Sequence, residues 1–436
     1  MLFPGASEMT GRQRLLSILN RAAPDRIAWT TLVDERTRSV MPPAVRAMPV
    51  LDFYRHIGCD ILQFGNYGLP ADLAVPSPAR LVTPPIETEW VNQPDGLAVR
   101  TQRTPWGTLV ATFRDGHPIK HPVESLEELR ILKEVWLASR HEEGDTSRPS
   151  SSPCSTSLCS SLCSARGRGS STLRVAASPR GRRASKDSAP AQSTGARTEG
   201  QSTEARVDGF ARAEAAIGDD GLYIPTLDPS PVQQLIEMDM GLAGFYYHLQ
   251  DHRAELESLL DAMHACRMAE YEIVARRSPA PALIPVENTS TTLISPALYR
   301  RYSLPQIRDY ADIAHRHGKK LILHMCGKLS GLLGELAETG LDGINALTPP
   351  PVGDLEFEEA LDVLGQDLII LGGILDPALF QAPSLTRDDL WQALDRLFTP
   401  RIRQAHFLLW LPADGLPTPF DRFLTVRDWM DSHGRH

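Results

Sequence analysis

The sequence predicts an α/β fold, a (β/α)8 TIM barrel, from two observations. Short apolar stretches of strand length alternate with amphipathic stretches along most of the 436 residues. Eight apolar stretches are each followed by a segment with helical periodicity, apart from the irregular region after the second one, and a repeated strand-then-helix pattern is typical of a parallel barrel. The predicted strands cover 27–33, 60–64, 222–227, 283–287, 321–324, 343–347, 368–371 and 406–411.

Helical stretches lie between most of these strands, and their starts carry recognisable signals. Ser230-Pro231 and Ser295-Pro296 each place a proline at the first helical position, where its fixed φ and missing N–H cost nothing. The predicted helices cover 125–138, 231–249, 253–276, 296–317, 329–339, 355–364, 387–397 and 420–430.

One region, 87–113, follows the second strand and breaks the alternation. Trp90-Val91 and the stretch 97–100 flank the turn Asp95-Gly96. An Asp-Gly pair between two strand-like segments is a strong hairpin signal. The region therefore predicts a β-hairpin laid across one mouth of the barrel.

A second irregular region, 145–206, is rich in Ser, Arg, Gly, Ala and Pro. It has ten Lys and Arg residues against four Asp and Glu residues, so the rest of the chain is more acidic than the net charge of -9 suggests. A segment of this composition cannot bury enough apolar surface to offset its ordering entropy. We interpret it as a disordered insertion, or as sequence translated out of frame, within a single barrel domain that spans 9–436.

The composition argues against a membrane-spanning protein and against a nucleic-acid-binding one. With 42% hydrophobic residues the chain can bury a large core, and it has no apolar run of membrane-spanning length. The negative charge argues against a nucleic-acid partner. Residues 1–20 lack a signal-peptide pattern, and the six cysteines do not form an obvious disulfide framework. We therefore expect a cytoplasmic protein with a small-molecule substrate.

In a parallel barrel the active site lies at the carboxyl ends of the strands, and here almost every strand ends in a polar side chain. Any one of them could simply cap a loop. Together they predict a polar pocket at one barrel mouth. The residues are Asn66, Asp228, Glu287, Asn288, His324, Cys326, Asn345, Asp376 and Asp414.

The strongest pair in this set is His324 and Cys326. Because side chains alternate along a strand, the two point to the same side at the end of strand five. An imidazole and a thiolate that converge can be two ligands of a tetrahedral zinc site, or a nucleophile beside its base. The alternative is a buried cysteine next to a hydrogen-bonded histidine.

The remaining residues have less specific expected roles. Glu287 and Asp228 are predicted to carry protons or to support the site residues from behind, the alternative being that each caps a loop. Asp376 is predicted to orient a substrate carboxylate or amide, or else to cap the helix before Pro377. The three asparagines at strand ends, Asn66, Asn288 and Asn345, are predicted substrate contacts.

Seven short motifs, in order and at matching spacing, resemble the uroporphyrinogen decarboxylase superfamily. The resemblance extends from about residue 9 to the end of the chain, apart from the insertion, and it implies a (β/α)8 barrel. The motifs are MTGRQR (9–14), PDRI (24–27), LISPALYR (293–300), LHMCG (323–327), GLDGIN (340–345), GGILDP (372–377) and GLPTP (415–419).

The superfamily contains two chemistries, and this chain departs from the first of them. Uroporphyrinogen decarboxylases need no cofactor and use an aspartate after strand two, where this chain has Asn66. An amide cannot balance a protonated pyrrole as a carboxylate does. The exit of strand one offers Arg36 and Arg38 but does not reproduce the family's arginine motif.

The resemblance is closer to the second branch, the corrinoid-linked methyltransferases. Their His-x-Cys-Gly strand end binds zinc, which implies His324 and Cys326 as ligands here. Their remaining cysteine ligand corresponds to Asp414, and aspartate is an accepted zinc ligand. The resemblance therefore implies a zinc-dependent methyltransferase that works with a corrinoid and with a thiol or methylated small molecule. The alternatives are a carboxy-lyase of tetrapyrrole biosynthesis and a non-catalytic binding protein on the same barrel.

Overall fold

The structure is a computed structural model that describes residues 8–93, 96–114, 117–146, 208–373, 377–413 and 415–435. Nearly all of the predicted insertion 145–206 lies outside the described residues. The same holds for two predicted site residues, Asp376 and Asp414.

The strands of the described residues fall into a parallel set and an antiparallel set. Each of the eight strands predicted from the sequence overlaps one or two strands of the parallel set. In chain order the strands are β1 (Ala28–Thr31), β2 (Ile61–Phe64), β3 (Ala79–Val82), β4 (Glu87–Asn92), β5 (Leu97–Thr104), β6 (Gly107–Arg114), β7 (His117–Lys120), β8 (Arg140–Glu143), β9 (Gly221–Ile224), β10 (Thr226–Leu227), β11 (Ala282–Pro285), β12 (Lys320–His324), β13 (Gly343–Leu347), β14 (Ile369–Gly373) and β15 (His406–Leu411).

The parallel set forms a curled seven-stranded sheet in the order β1-β15-β14-β13-β12-β11-β10. Strands β2 and β9 form a separate two-stranded parallel sheet, and only Pro225 separates β9 from β10. Between β1 and β2, the Asp60 amide donates to the Trp29 carbonyl at 2.9 Å. The arrangement is a mixed α/β fold that is compatible with a TIM barrel.

The interior of the curled sheet is filled by apolar side chains and is capped at one end by the first helix. Thr10 begins this helix with a capping box in which Gln13 is the reciprocal partner. Leu15, Ile18 and Leu19 of the helix pack in one cluster with the inward-facing residues near the starts of the strands. The opposite mouth, at the carboxyl ends of the strands, is where the polar residues collect.

Apart from the first helix, which caps the interior, the helices of the described residues pack outside the parallel sheet. None of them is long and apolar enough to cross a membrane. The α-helices are Gly11–Leu19, Pro43–Arg46, Val50–Ile57, Leu126–Leu137, Gly209–Ile217, Pro231–Gln234, Gly241–Asp251, Arg253–Arg277, Pro296–Leu298, Leu304–Arg316, Leu333–Leu336, Phe357–Leu364, Pro377–Gln381, Arg387–Leu397, Pro400–Gln404 and Phe420–His433.

Three of the predicted helices are interrupted in the structure, each for a local reason. The stretch 231–249 contains a π-helical turn, Leu235–Asp239, which ends before Gly241 at a φ of 71°. The stretch 296–317 contains a second π-helical turn, Tyr299–Ser303, just before a proline that has no N–H to donate.

The third interrupted helix, predicted over 329–339, is reduced to a 3₁₀ turn, Ser330–Leu332, and one α-helical turn, Leu333–Leu336. Gly331 and Gly334 fall inside it, and glycine disfavours a continuous helix.

The region predicted as a hairpin contributes three strands of a four-stranded antiparallel sheet, ordered β4-β5-β6-β7. Strands β4 and β5 pair from Glu87 opposite Arg103 to Asn92 opposite Ala98. Leu109 of β6 belongs to the main hydrophobic core together with apolar residues of the helix Leu126–Leu137. The sheet is therefore anchored on that helix.

Asp342 joins the start of strand β13 to the neighbouring strand and to the outer helices. Its buried carboxylate accepts from the Leu321 amide (3.0 Å), Lys320 Nζ (3.1 Å), His315 Nε2 (2.7 Å) and an Arg21 guanidinium nitrogen (2.9 Å). Although burial acts to raise the pKa of this carboxyl, the hydrogen bonds and the charge of Lys320 lower it below its usual value.

We expect Asp342→Asn to lower the free energy of unfolding by about 2 kcal/mol at neutral pH, the usual loss for hydrogen bonds to a charged group. A carboxyl whose folded-state pKa is lowered stabilises the fold above its unfolded-state pKa of about 4. That stabilisation is lost as the pH falls through the folded-state value. Urea unfolding of both proteins should therefore give midpoints that converge in acid.

The control for this experiment is Asp362→Asn, which removes an exposed ion pair to Arg401. Such pairs contribute about 0–1 kcal/mol. A deficit of Asp342→Asn that stayed constant down to about pH 3, where the carboxyls of the unfolded chain are largely protonated, would contradict the electrostatic assignment.

Candidate functional site

His324 and Cys326 converge at the carboxyl end of strand β12, as the alternation of side chains predicts. The strand ends at His324, and the Cys326 sulfur lies 3.5 Å from His324 Nε2. Cys326 is exposed and His324 is half-buried. Both groups that would bind a soft metal ion therefore face the same accessible space.

The other nitrogen of the His324 ring is held by Asn345. His324 Nδ1 donates to Asn345 Oδ1 at 2.6 Å, and the register of the two parallel strands pairs these residues directly. Because Nδ1 carries the proton, Nε2 presents its lone pair toward Cys326. Hydrogen bonds of this kind fix the tautomer and the ring orientation of metal-binding histidines.

A bulge in strand β13 brings Asn345 into this position. The pairing with β14 shifts between Asn345 and Leu347, and Ala346 between them has a φ of 64°. A β-bulge re-aims side chains, and a left-handed alanine is a strained conformation that the surrounding sheet must hold. Asn345 is fully buried as a result.

Aromatic side chains border the histidine inside the barrel. The Phe64 ring centroid lies 5.6 Å from that of His324 and 5.8 Å from that of Trp410. Phe64 and Trp410 both belong to the apolar cluster that fills the barrel. Their position makes the floor of the mouth apolar, so charged groups at His324 are screened from water on that side.

Glu287 lies at the end of the fourth barrel strand, in the predicted place, but it is fully buried. It accepts from the Ser230 amide at 2.6 Å, from Ser230 Oγ at 2.9 Å and from Thr289 Oγ1. Burial raises the pKa of the Glu287 carboxyl, these hydrogen bonds oppose that effect, and the neighbouring Glu237 adds to it. Glu287 thus also ties together the loops that follow two strands.

Glu237 is a residue of this mouth that the sequence analysis missed. It lies in the π-helical turn Leu235–Asp239 and accepts from Gln233 Nε2 at 2.9 Å. Burial raises the pKa of its carboxyl, while Gln233 and the charge of His324 lower it. Glu237 is therefore close enough to His324 for their charges to interact. Its only sequence signal was an acidic residue inside a predicted continuous helix.

Asp228 lies after the third barrel strand, as predicted, and binds a buried arginine. The guanidinium of Arg267 donates to Asp228 at 2.9 Å, to Glu270 at 2.6 Å and to Gln234 at 2.6 Å. Burial raises the pKa of the Asp228 carboxyl and the positive charge of Arg267 opposes that effect. Asp228 is thus part of an ion-pair network between a loop and the long helix Arg253–Arg277.

The two other predicted substrate contacts have different surroundings. The Asn66 amide donates to the Val75 carbonyl at 2.9 Å and accepts from the Val75 amide at 2.8 Å, and Tyr223 also donates to it. Asn66 therefore closes a loop after strand β2. Asn288 Oδ1, by contrast, is buried and has no hydrogen-bond partner within the described residues, so it can accept from a ligand.

The donor set for a metal ion is incomplete in the described part of the chain. His324 and Cys326 supply two donors of the types that zinc prefers. Within the described residues no three His, Cys, Asp or Glu side chains come together as a metal site. The sequence-predicted third ligand, Asp414, lies outside those residues. The fit to zinc thus rests on two ligands and on the oriented imidazole.

Comparison with known proteins identifies the region that contains most of this site. Residues 239–404 match the family model for uroporphyrinogen decarboxylase (URO-D). A methyltransferase from Methanosarcina mazei is similar in structure at 12% identity and a TM-score of 0.49, over 98% of this chain and 99% of that one, a level that supports no conclusion about activity. Curated protein sequences show no match. The similarity to the uroporphyrinogen decarboxylase family thus covers residues 239–404, which include His324, Cys326 and Asn345.

Proposed function

We propose that the chain is a zinc-dependent methyltransferase built on a closed eight-stranded barrel. It would work with a corrinoid and with a thiol or a methylated small molecule. The observation that carries the proposal is the 3.5 Å approach of His324 Nε2 and the Cys326 sulfur, with Nδ1 held by Asn345. We place the protein in the cytoplasm, where thiol ligands stay reduced.

His324 and Cys326 would hold the metal ion, with Asp414 as the third protein ligand. Bound zinc lowers the pKa of a coordinated thiol, so that the thiolate is present at neutral pH. A histidine and a carboxylate beside one cysteine place less negative charge on the metal than a thiolate-rich set does. This donor set favours a strongly polarising metal ion.

The protein side chains around the histidine would supply orientation and a proton acceptor. Asn345 keeps the imidazole in the tautomer that leaves Nε2 available. Glu237 would accept the proton that a thiol substrate releases, because burial raises the pKa of its carboxyl and so makes it a stronger base. Glu287 is a second proton carrier in this proposal. Asn288 would accept a hydrogen bond from the substrate, and Asp376 would help to orient it.

A carboxy-lyase that acts on uroporphyrinogen is the second candidate, and the description of the matching family favours it. The placement of Asn66 does not support this candidate. Both polar atoms of its amide bind the backbone of Val75, so they are not directed at a substrate. We therefore favour methyltransfer.

The proposal predicts the metal content of the purified chain. We expect the wild-type protein to contain about one equivalent of zinc and Cys326→Ser to lose it, because a hydroxyl is a much weaker zinc ligand than a thiolate. Asp414→Ala should reduce the content as well. Elemental analysis after dialysis measures both effects.

The matched control is Cys266→Ser. Cys266 also lies beside a histidine, with its sulfur 3.4 Å from His141 Nδ1, but it is buried away from the barrel mouth. This variant should keep its zinc. If the purified wild-type protein contains no metal and added zinc does not stabilise it, the methyltransferase proposal is refuted. Release of carbon dioxide from uroporphyrinogen by such a protein would establish the carboxy-lyase.

A further inference from the structure

A second cavity lies outside the barrel, between the antiparallel sheet and the π-helical turn Leu235–Asp239. Its volume is about 220 Å³. One wall is apolar and comes largely from the helix Leu126–Leu137, which contributes Leu132, Val135 and Trp136. The cavity is also lined by two charged residues, Arg100 of strand β5 and Asp239 of the π-helical turn. The cavity therefore has two opposite charges beside an apolar surface.

The Arg100 guanidinium contacts two aromatic rings and keeps a hydrogen-bond donor unused among the described residues. Its Cζ lies 5.9 Å from the ring centroid of Trp90 and 5.5 Å from that of Phe113. Arg100 Nε is buried without a hydrogen-bond partner among the described residues, and the ion pairs of that part of the chain do not include it. A planar guanidinium fixed by aromatic rings, with free donors, is suited to binding a carboxylate in two-point fashion.

Asp239 supplies the complementary charge. Gln234 Nε2 donates to its carboxylate at 3.2 Å, and Gln234 is itself held by the guanidinium of Arg267 at 2.6 Å. Burial raises the pKa of the Asp239 carboxyl to about 6, and the charge of Arg100 opposes the rise. The carboxylate and the Arg100 guanidinium line one cavity without forming an ion pair with each other. A ligand can therefore satisfy both.

We propose that this cavity binds a small zwitterion of the α-amino-acid class with an apolar side chain. The carboxylate of the ligand would meet Arg100, its ammonium group would meet Asp239, and its side chain would pack on Leu132, Val135 and Trp136. The size is suitable, since an apolar cavity of about 150 Å³ already holds benzene. A carboxylate-only ligand would leave Asp239 buried and unpaired, which is costly.

The proposal can be tested by calorimetric titration of the full chain with L-leucine and L-phenylalanine. We expect at least one of them to bind. Two analogues of leucine, 4-methylpentanoate without the ammonium group and isoamylamine without the carboxylate, should each bind about tenfold more weakly or worse, since each loses a paired charge. Arg100→Met and Asp239→Asn should each weaken binding of the amino acid by a similar factor.

Two further variants make the result independent of folding defects. Arg103→Met lies in the same strand but removes only an exposed pair with Glu89, so it should bind normally. Val135→Phe keeps the charged groups and fills the cavity, so it should not bind. The proposal is overturned if neither amino acid binds the wild-type chain, if 4-methylpentanoate binds as tightly as leucine, or if Val135→Phe still binds. None of these outcomes depends on zinc.

Discussion

Replacement of Arg267 with methionine is expected to lower the free energy of unfolding by about 3–5 kcal/mol, the usual effect of removing one partner from a buried ion pair. Arg267 is 3% exposed, and its guanidinium binds Asp228, Glu270 and Gln234. Methionine has similar length but no donor. The buried carboxylate of Glu270 and the half-buried carboxylate of Asp228 would then remain without their counter-charge, which costs far more than the pair itself contributes.

Urea unfolding at neutral pH measures this loss, and its pH dependence tests the cause. In the variant the Asp228 carboxyl, whose pKa burial raises, can become neutral by protonation, so the deficit relative to wild type should shrink as the pH falls toward about 4. The double variant Arg267→Met/Asp228→Asn should lose less than the sum of its single changes, because the uncompensated charge at Asp228 is absent.

The control is Arg276→Met in the same helix. Arg276 is exposed and pairs with Glu143 at 2.6 Å, so this change should cost about 0–1 kcal/mol. If the two arginine variants lost equal stability, or if the deficit of Arg267→Met were the same in acid, the loss would reflect helix packing and not charge.

The position of Asp228 could be predicted from the sequence, but its binding partner could not. The alternation of strands and helices correctly places this residue at the carboxyl end of the third barrel strand, because that placement depends only on local pattern. Its partner Arg267 is 39 residues away in the sequence. Its pairing with this particular helix position depends on tertiary packing, which a single sequence does not display.

At His324 the sequence predicts the approach of Cys326 but not the hydrogen bond to Asn345. Side chains two residues apart in an extended segment point to the same side. The approach of His324 and Cys326 therefore follows from the sequence. Asn345 was predicted to lie at the same mouth. Its bond to His324 follows from the register of two strands and from the bulge at Ala346, and no local residue pattern specifies either.

Glu237 was missed because the sequence of its helix looks continuous. An apolar and polar alternation with a helical period cannot distinguish an α-helical turn from a π-helical one. The wider turn rotates the side chains within it relative to those of a regular α-helix. As a result, Glu237 interacts with His324 while Asp239, two residues later, lines the separate cavity.

Asn345→Leu is expected to weaken zinc binding by about 10–100-fold, the usual cost of losing the partner that orients a metal-binding histidine. Leucine fits the apolar strand but cannot accept the proton of His324 Nδ1. The ring would then be free to rotate or to change tautomer, and Nε2 would face the Cys326 sulfur only part of the time. Competition with a chromogenic chelator measures the change in affinity.

Asn345→Asp distinguishes this cause from general damage to the barrel. Aspartate has the same shape and keeps an oxygen that accepts from Nδ1, so it should bind zinc at least as tightly as the wild type, because a carboxylate raises the basicity of the imidazole. It also places a charge in a fully buried position, so it should be the less stable protein in urea. Loss of zinc from both variants in proportion to their loss of stability would show that Asn345 supports the sheet and not the ligand. Retention of zinc by Asn345→Asp together with its loss from Asn345→Leu can only come from the hydrogen bond to His324.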